Sequence, residues 1–220
     1  MLLGELSAGL AHEIRNPVAA IRGAVDELKG SIASPAIAQR LADIAIRESD
    51  HLNRIVTDFL DFARRPEIRR ETFSVLDLVR EVAERLRDKC RACEALTIEA
   101  SFPAQDCLVS GDRSQIKQVF MNIAKNGIEA MHEHGVLGIR VVSDSTSVEI
   151  RFDDQGAGIP PDELARIFEP FYTTKPSGVG MGLPVCMRIL TAHDGTIRAT
   201  PREGGGTSVS VRLPILRQEE

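Results

Sequence analysis

The sequence predicts an α+β fold in which an antiparallel helical hairpin is followed by an α/β sandwich. In the first third of the chain, apolar residues recur at steps of three or four over two long stretches, which is the period of a helix with one apolar face. Further on, short strand-like stretches alternate with helical ones. The break Arg64-Arg65-Pro66 separates the two patterns. We therefore expect residues 1–66 to form the hairpin and residues 67–220 the sandwich.

The two helices of the hairpin each carry one apolar stripe. The first helix ends at about Gly30, and the stripe along it and just beyond it has Leu3, Leu6, Leu10, Ile14, Val18, Ile21, Val25, Leu28 and Ile32. The stripe of the second helix is apolar except for Glu48 and has Ile37, Leu41, Ile44, Glu48, Leu52, Ile55, Phe59 and Phe62. Turn residues lie between them, in the segment 30–35. Two such helices cannot bury both stripes alone, so we expect a homodimer that forms a four-helix bundle. Its interface is predicted to include Leu6, Ile21, Leu41, Leu52 and Ile55.

A histidine, a carboxylate and a carboxamide, His12, Glu13 and Asn16, stand close together on the first helix. At about 100° per residue His12 lies roughly 200° from Leu10 and from Ile14, so its imidazole is expected to face away from the apolar stripe. Pro17 removes a backbone donor and is expected to bend or loosen the helix after His12. By itself this group also fits a surface histidine on a helix that happens to contain proline.

The second part of the chain is predicted to contain helices over about 75–92, from Asp112 and from about Gly182. Strands are expected over about 96–102, 107–110, 138–143, 148–153, 196–200 and 207–213. The pattern does not fix the order of the strands in the sheet, and antiparallel pairing of neighbouring strands is the default expectation.

Composition excludes several classes of protein. A net charge of −5, without a block of basic residues, argues against a nucleic-acid partner. No stretch approaches the roughly 20 apolar residues that span a bilayer, and the N-terminus lacks the order of a signal peptide. We therefore expect no direct membrane contact and a cytoplasmic location, with tethering of a parent protein left open. Cys90 and Cys93 have C-x-x-C spacing but no completing zinc ligands, which favours reduced thiols.

The long helix from Asp112 is expected to begin with a capping box, in which Asp112 accepts from first-turn amides and Gln115 occupies the reciprocal position. Asn122 and Asn126, four residues apart, share a face away from the apolar stripe, with Lys125 nearby. Two carboxamides on one face suit coordination of Mg²⁺ or of phosphates, although solvated asparagines would give the same pattern.

Two glycine-containing loops follow. Asp153-Asp154-Gln155-Gly156-Ala157-Gly158 comes after a strand, where glycines let the backbone approach a flat ligand while a carboxylate accepts from an amino group. In Gly178-Val179-Gly180-Met181-Gly182-Leu183, glycines at every second position lead into a helix, and their amides can cradle phosphates. Neither loop fits a Walker or a dinucleotide fingerprint.

These segments, in this order, closely resemble the catalytic core of the sensor histidine kinases of two-component systems, over essentially the whole chain. The H-box is His12-Glu13-Ile14-Arg15-Asn16-Pro17, the N-box Asn122–Gly127, the G1 box Asp154–Gly158, the F-box Phe168–Phe171 and the G2 box Gly178–Leu183. The short lid with Thr173, Thr174 and Lys175 is most similar to the nitrogen-regulation type. Gly127 departs from the alanine that is usual after the N-box asparagine.

The resemblance implies a dimeric hairpin that carries the phosphoacceptor, followed by an ATP-binding domain of the Hsp90, gyrase and histidine kinase type. By resemblance, Asp154 accepts from the adenine amino group, Asn126 assisted by Asn122 holds Mg²⁺, and the G2 glycines form the lid. The remaining residues assigned to the nucleotide site are Lys125, Gly156, Gly158, Thr174, Lys175 and Leu183. His12 would take the γ-phosphoryl group of ATP, with Glu13 as its base, and would pass it to an aspartate of a response regulator. Asn16 would serve in dephosphorylation of that regulator.

Two alternatives share the nucleotide boxes. A serine kinase of the anti-sigma type would use the same ATP site but lacks a long hairpin with a phosphoacceptor histidine. Phosphate that is labile in acid and stable in base separates the two kinases. A non-enzymatic dimeric scaffold, or a partner with phosphatase activity only, would not need the intact Asn126, Asp154 and three G2 glycines that this sequence has.

Overall fold

The computed structural model describes residues 2–30, 35–63, 68–90, 95–175 and 178–216. They form two compact units, one of residues 1–65 with 169–181 and one of residues 66–168 with 182–220. The segment 169–181 thus groups with the hairpin, although it belongs to the stretch predicted as the second domain. The predicted boundary after residue 66 lies outside the described residues. Within the described ranges, no helix is long and apolar enough to cross a membrane.

The helical unit is built on two antiparallel helices of equal length, α1 (Leu2–Gly30) and α2 (Pro35–Ala63). α1 continues through the buried Pro17. Leu41 and Ile55 are 8% and 0% exposed within the single chain. They have no surface left for a second chain, so the expectation that they form a dimer interface is wrong. Ile21 and Leu52 are half-buried, and the side chain of Leu6 lies outside the described residues.

The exposed apolar side chains of the hairpin lie elsewhere on both helices. They are Val18, Val25, Ile37, Ile46, Val56 and Leu60, between 38% and 61% exposed. On α2, Ile46, Val56 and Leu60 lie within about 80° of one another around the helix axis, and Ile37 lies on the opposite side. Two positions of the predicted first-helix stripe, Val18 and Val25, are thus not covered by α2.

The α/β unit contains a five-stranded sheet and three helices that pack on it. The strands are β1 (Glu71–Ser74), β2 (Leu96–Ser101), β3 (Leu108–Gly111), β4 (Gly135–Ser143), β5 (Ser147–Asp153), β6 (Thr196–Pro201) and β7 (Thr207–Pro214), and the helices are α3 (Val75–Cys90), α4 (Arg113–Ala130) and α5 (Gly182–Ala192). The sheet order is β2-β4-β5-β7-β6, and β1 pairs separately with β3.

Adjacent strands pair as expected in β4–β5 and β6–β7, but not in β2–β3. β2 instead pairs in parallel with β4, and β3 pairs with β1, a short strand that the sequence analysis missed. β1 has one buried residue, Phe73, so it lacks the alternation by which the other strands are recognised. In β5, Val148, Ile150 and Phe152 are buried on alternate positions, and the Phe152 ring lies 5.8 Å from that of Phe120 on α4.

Candidate functional site

Asp154 lies immediately after β5 and is 6% exposed. Its backbone N–H donates to the Thr207 carbonyl (3.0 Å), continuing the β5–β7 ladder by one step. Its Oδ1 accepts from the backbone amides of Gly156 (2.9 Å) and Thr207 (3.1 Å). Within the described part of the chain, Oδ2 accepts no hydrogen bond. The carboxylate is therefore held rigidly through one oxygen and can accept a donor through the other.

Burial raises the pKa of the Asp154 carboxyl, and the neighbouring Asp153 raises it further. The hydrogen bonds from Gly156 and Thr207 and the positive charge of Arg202 lower it, without cancelling the effect of burial. A ligand that donates a hydrogen bond to Oδ2 would offset part of the desolvation of this carboxylate.

The turn between β6 and β7 supplies three residues that the sequence analysis missed. A Cβ atom on Gly206 would lie 2.1 Å from the Asp154 carbonyl oxygen, so only glycine fits there. Thr207 is buried beside Asp154 and holds it at two atoms. Arg202 donates from Nη1 to the Asp154 carbonyl oxygen. The run Gly204-Gly205-Gly206-Thr207 directly before a strand is the signal that marked this turn.

Helix α4 begins at the expected N-cap, because Asp112 Oδ1 accepts from the amides of Ser114 (3.0 Å) and Gln115 (3.1 Å). The backbone N–H of Asp112, however, donates to Nε2 of His193 (2.9 Å), not to Gln115. His193 is 2% exposed, and its Nδ1 lies 2.7 Å from the Ile189 carbonyl oxygen. A buried histidine at the end of α5 thus takes the reciprocal position of the predicted capping box.

Asn122 and Asn126 have different surroundings on α4. The Asn122 side chain forms a hydrogen bond with the Cys186 thiol, whose pKa burial raises to about 12. Asn126 lies beside Gly182, where α5 begins: its Nδ2 is 4.0 Å from the place of a Gly182 Cβ atom. Lys125 points to solvent and pairs with Glu129 at 3.7 Å. Among the described residues, no group of three or more acidic, histidine or cysteine side chains could hold a metal ion.

Gly127 lies where α4 approaches Asp154. A Cβ atom at this position would be 3.2 Å from Asp154 Cβ, 3.8 Å from its Oδ2 and 3.0 Å from a methyl group of Leu137. The glycine therefore gives room beside the acceptor oxygen. Asn126 is the residue before Gly127 on α4.

The loop 169–181, which carries Thr174, Lys175, Gly178 and Gly180, belongs to the helical unit. Phe171 has φ 65°, an uncommon value for a side-chain-bearing residue, and its N–H donates to the Gly180 carbonyl (3.1 Å). Gly180 has φ 67°, and a Cβ there would lie 2.6 Å from the Phe171 carbonyl carbon. The loop closes on itself through this contact.

Val179 and Met181 of the same loop pack on the hairpin. They form a buried cluster with Ile55 of α2, against which Leu10 and Ile14 of α1 and Phe171 also pack. Leu10 and Ile14 stand two residues before and after His12. Thr174 is exposed and Lys175 is half-buried. The structure therefore places these two candidate nucleotide ligands in the unit that carries His12, and Asp154, Gly156, Gly158, Gly182 and Leu183 in the other unit.

His12 lies within α1, and its side chain is outside the described residues. Glu13 is half-buried and Asn16 is exposed on the same helix. Asn16 follows His12 by one helical turn, so the two residues share one side of α1. The orientation expected for the imidazole stays a prediction.

Two protein families match the chain. Residues 2–68 match the His Kinase A (phospho-acceptor) domain, and residues 111–217 match the family of histidine kinase-, DNA gyrase B- and HSP90-like ATPases. Sporulation kinase C of Bacillus subtilis (strain 168) is 35% identical over 97% of the chain, and sensor histidine kinase ZraS of Escherichia coli (strain K12) is 33% identical over 97%. The matched regions cover 49% and 46% of these relatives, so the chain spans about half of their length.

Solved structures agree with the family matches. The histidine kinase ThkA, in a complex with the response regulator protein TrrA, superposes with a TM-score of 0.83 at 30% identity, over 100% of this chain and 64% of that one. The catalytic domain of ThkA gives a TM-score of 0.58 at 33% identity, over 66% of this chain and 97% of that one.

Proposed function

The chain belongs to the sensor histidine kinases of two-component systems, and from this premise we propose that it phosphorylates itself on His12 at the expense of ATP. The phosphoryl group then passes to an aspartate of a response regulator. The complex of the similar kinase ThkA with TrrA supports a partner of this kind.

The hydrogen bonding of the Asp154 carboxylate supports the proposal most strongly. One carboxylate oxygen is fixed by two backbone amides, while the other accepts no hydrogen bond from the described residues and faces the end of α4. A rigid acceptor in a buried position distinguishes a base with an amino group from one without it, because an unmatched partner leaves the carboxylate desolvated and unsatisfied. Asp154 therefore accepts from the adenine amino group, with Gly156 and Gly158 bringing the backbone close to the base.

The carboxamide oxygen of Asn126 would hold Mg²⁺, with Asn122 assisting once its bond to Cys186 opens. The donor set fits, since Mg²⁺ prefers oxygen ligands and keeps several waters. When bound, Mg²⁺ neutralises charge on the phosphates. We further assign to nucleotide binding Lys125, the Gly182 amide and Leu183 of the α/β unit and, from the helical unit, Thr174, Lys175 and the amides of Gly178 and Gly180.

In the chemical step, a neutral imidazole nitrogen of His12 forms a bond to the γ-phosphorus of ATP, and the bond from that phosphorus to the β–γ bridging oxygen breaks. The electron pair leaves with ADP, and the products are ADP and a phosphoramidate on His12. Glu13 follows His12 directly, and its carboxylate orients the ring and takes the proton from the other nitrogen. Half-burial of Glu13 limits its alternative orientations.

The exposed Asn16 carboxamide is suited to hold a water molecule against the phosphoryl group of the regulator, which gives the protein a phosphatase activity as well. The protein works as a homodimer, because the exposed apolar side chains of α1 and α2 need a partner surface. Val18, Ile46 and Leu60 are the strongest candidates for this interface. They replace Leu41 and Ile55, which the single chain already buries.

Incubation with γ-labelled ATP and Mg²⁺, followed by treatment with acid and with base, tests the proposal. We expect the protein to become labelled, and the label to be lost in acid and kept in base. When a receiver domain is added, the label should pass to it. Acid-stable label would indicate a serine kinase. Absence of label, with nucleotide bound, would indicate a scaffold or a protein with phosphatase activity only.

A further inference from the structure

Asp154 lies at the end of the β5–β7 ladder, where its carbonyl oxygen has no hydrogen-bond donor on any described neighbouring strand. β5 ends at Asp153, and the bond from the Asp154 N–H to Thr207 is the last one of the β5–β7 ladder. The Asp154 carbonyl oxygen therefore needs a hydrogen-bond donor from outside the ladder. Arg202 provides it, by donating from Nη1. Every polar atom of Asp154 apart from Oδ2 is thus held by a neighbour.

The position of Arg202 is itself fixed by the β6–β7 turn. Its backbone N–H donates to the Gly206 carbonyl (3.1 Å), and its carbonyl accepts from the Gly205 amide (3.2 Å). The absence of a side chain at Gly206 lets the turn lie against the Asp154 carbonyl. Arg202 also lines an open cavity of about 290 Å³ together with Ile159 and Pro160.

Arg202 affects Asp154 in two ways. Its hydrogen bond satisfies the Asp154 carbonyl oxygen, and its positive charge lowers the pKa of the Asp154 carboxyl. Asp154 carries a buried carboxylate beside the like charge of Asp153, and Arg202 is the cation that opposes both effects on its pKa. A neutral donor would satisfy the carbonyl oxygen without favouring the ionised carboxylate. A guanidinium does both with one side chain.

We infer that Arg202 is a positioning residue for recognition of the nucleotide base, which holds the Asp154 backbone so that Oδ2 meets the exocyclic amino group of adenine. This inference rests on the proposed nucleotide site and adds a residue outside the motifs by which that site was found. Arg202 touches no reacting atom in this scheme. Its loss is therefore expected to act on the choice of base and not on binding of the phosphates.

Adenosine and inosine diphosphates separate these effects, because they share the ribose and the phosphates, while the base of inosine carries a carbonyl oxygen in place of the amino group and a hydrogen on the adjacent ring nitrogen. Their affinities for the full chain are measured by titration calorimetry, in the wild type and in Arg202→Met. The matched control is Arg198→Met, which removes the same charge from an exposed position on β6 of the same hairpin. Thermal unfolding of each variant reports on the fold.

We expect the wild type to prefer adenosine diphosphate roughly tenfold or more. In Arg202→Met the affinity for adenosine diphosphate falls about fivefold or more, toward that for inosine diphosphate, which changes less than about twofold. Arg198→Met keeps the wild-type preference. Should Arg202→Met not fold, Arg202→Lys replaces it, with a smaller loss confined to adenosine diphosphate.

An equal loss of affinity for both nucleotides would overturn the inference, since it would indicate a contact with the phosphates or general support of the fold. Unchanged affinities in a folded Arg202→Met would overturn it as well. A wild-type protein without preference between the two bases would instead refute the role of Asp154 in the proposed function, and the role of Arg202 with it. The wild-type titrations thus distinguish a failure of the proposed function from a failure of this inference.

Discussion

The helical hairpin and the α/β unit bury their apolar side chains to different extents. In the α/β unit, Val119, Phe120 and Ile150 are completely buried. In the hairpin, Ile46 and Leu60 remain 61% and 59% exposed. Three helices on a sheet enclose a core by themselves, whereas two antiparallel helices cover only the narrow strip between them. The α/β unit thus encloses a core within one chain, whereas the hairpin leaves large apolar side chains exposed.

The candidate functional residues of the two units also differ in how they are brought together. His12, Glu13 and Asn16 lie on two turns of one helix, so their arrangement is local. Asp154 is held by Thr207 and Arg202, which come from a distant turn. The first group depends on helix formation alone, and the second depends on correct pairing of β5 with β7.

The largest expected effect separates the chemistry of the two units. His12→Gln removes the nucleophile from α1, so self-phosphorylation should fall to background, while the nucleotide affinity stays within about twofold because the base site lies in the other unit. Labelling with γ-labelled ATP and titration calorimetry measure the two properties. Label that persists on the variant would contradict the assignment of His12.

Assembly is the next test, since only the hairpin is expected to need a second copy. Ile46→Ser removes one exposed apolar side chain from each protomer, and at about 1.5 to 3 kcal/mol per side chain the dimer should dissociate roughly a hundredfold more readily. Sedimentation over a range of concentrations measures the dissociation constant. Met187→Ser, at a 44% exposed position of the α/β unit, is the control and should leave it unchanged. A monomeric wild type would refute the bundle.

A smaller effect is expected from Asp154→Asn, which tests whether the buried carboxylate lowers the stability of the α/β unit. Burial raises the pKa of Asp154, so the charged carboxylate is less favourable in the folded chain than in the unfolded one, and a neutral residue of the same shape should raise the unfolding temperature. The same change places an amide opposite the adenine amino group and should lower ATP affinity by about 1 to 3 kcal/mol. Unaltered affinity in calorimetry would count against this role.

The smallest expected effect is on the loss of folding stability at low pH, and it should be confined to the α/β unit. Hydrogen bonds from Thr146 and Ser147 hold the pKa of Asp144 well below its usual range, and bonds from Lys117 and Arg113 lower that of Glu81. These carboxylates contribute stability above about pH 4, which is lost as the pH falls through their lower folded-state values. Asp144→Asn should therefore flatten the fall in stability below pH 4. Urea unfolding between pH 2 and 6 measures the slope, and Asp162→Asn, at an exposed position, should keep it.

The sequence predicted much of the fold because most elements carry a local periodicity. α1 ends, α2 begins and ends, and α4 begins within a few residues of expectation, and β5 shows the expected alternation. β1 was missed because a strand with one buried residue has no period. The pairing of β2 was wrong because β3 pairs with β1, outside the main sheet, and leaves the edge of β4 to β2.

Within the candidate site, local spacing identified Asp154 and Asn126 but not the residues that hold them. Gln115 has the spacing of a capping-box partner, and a sequence pattern cannot show that a buried histidine takes that position. Arg202 and Thr207 had no motif of their own beyond the glycines before Thr207. The packing of Val179 and Met181 on Ile55 was likewise invisible, because the two residues stand between glycines whose spacing indicated only backbone amides that can cradle phosphates.

By itself the sequence determined the two helices of the hairpin, the positions of His12 and Asp154 and the family, because helical periods and short motifs depend on residues a few positions apart. The tertiary structure alone decided which residues fix the site. His193 binds Asp112 across 81 positions, Thr207 binds Asp154 across 53, and Arg202 binds it across 48. Such contacts follow from the pairing of whole strands and helices and from the exclusion of water between them, which no local spacing records.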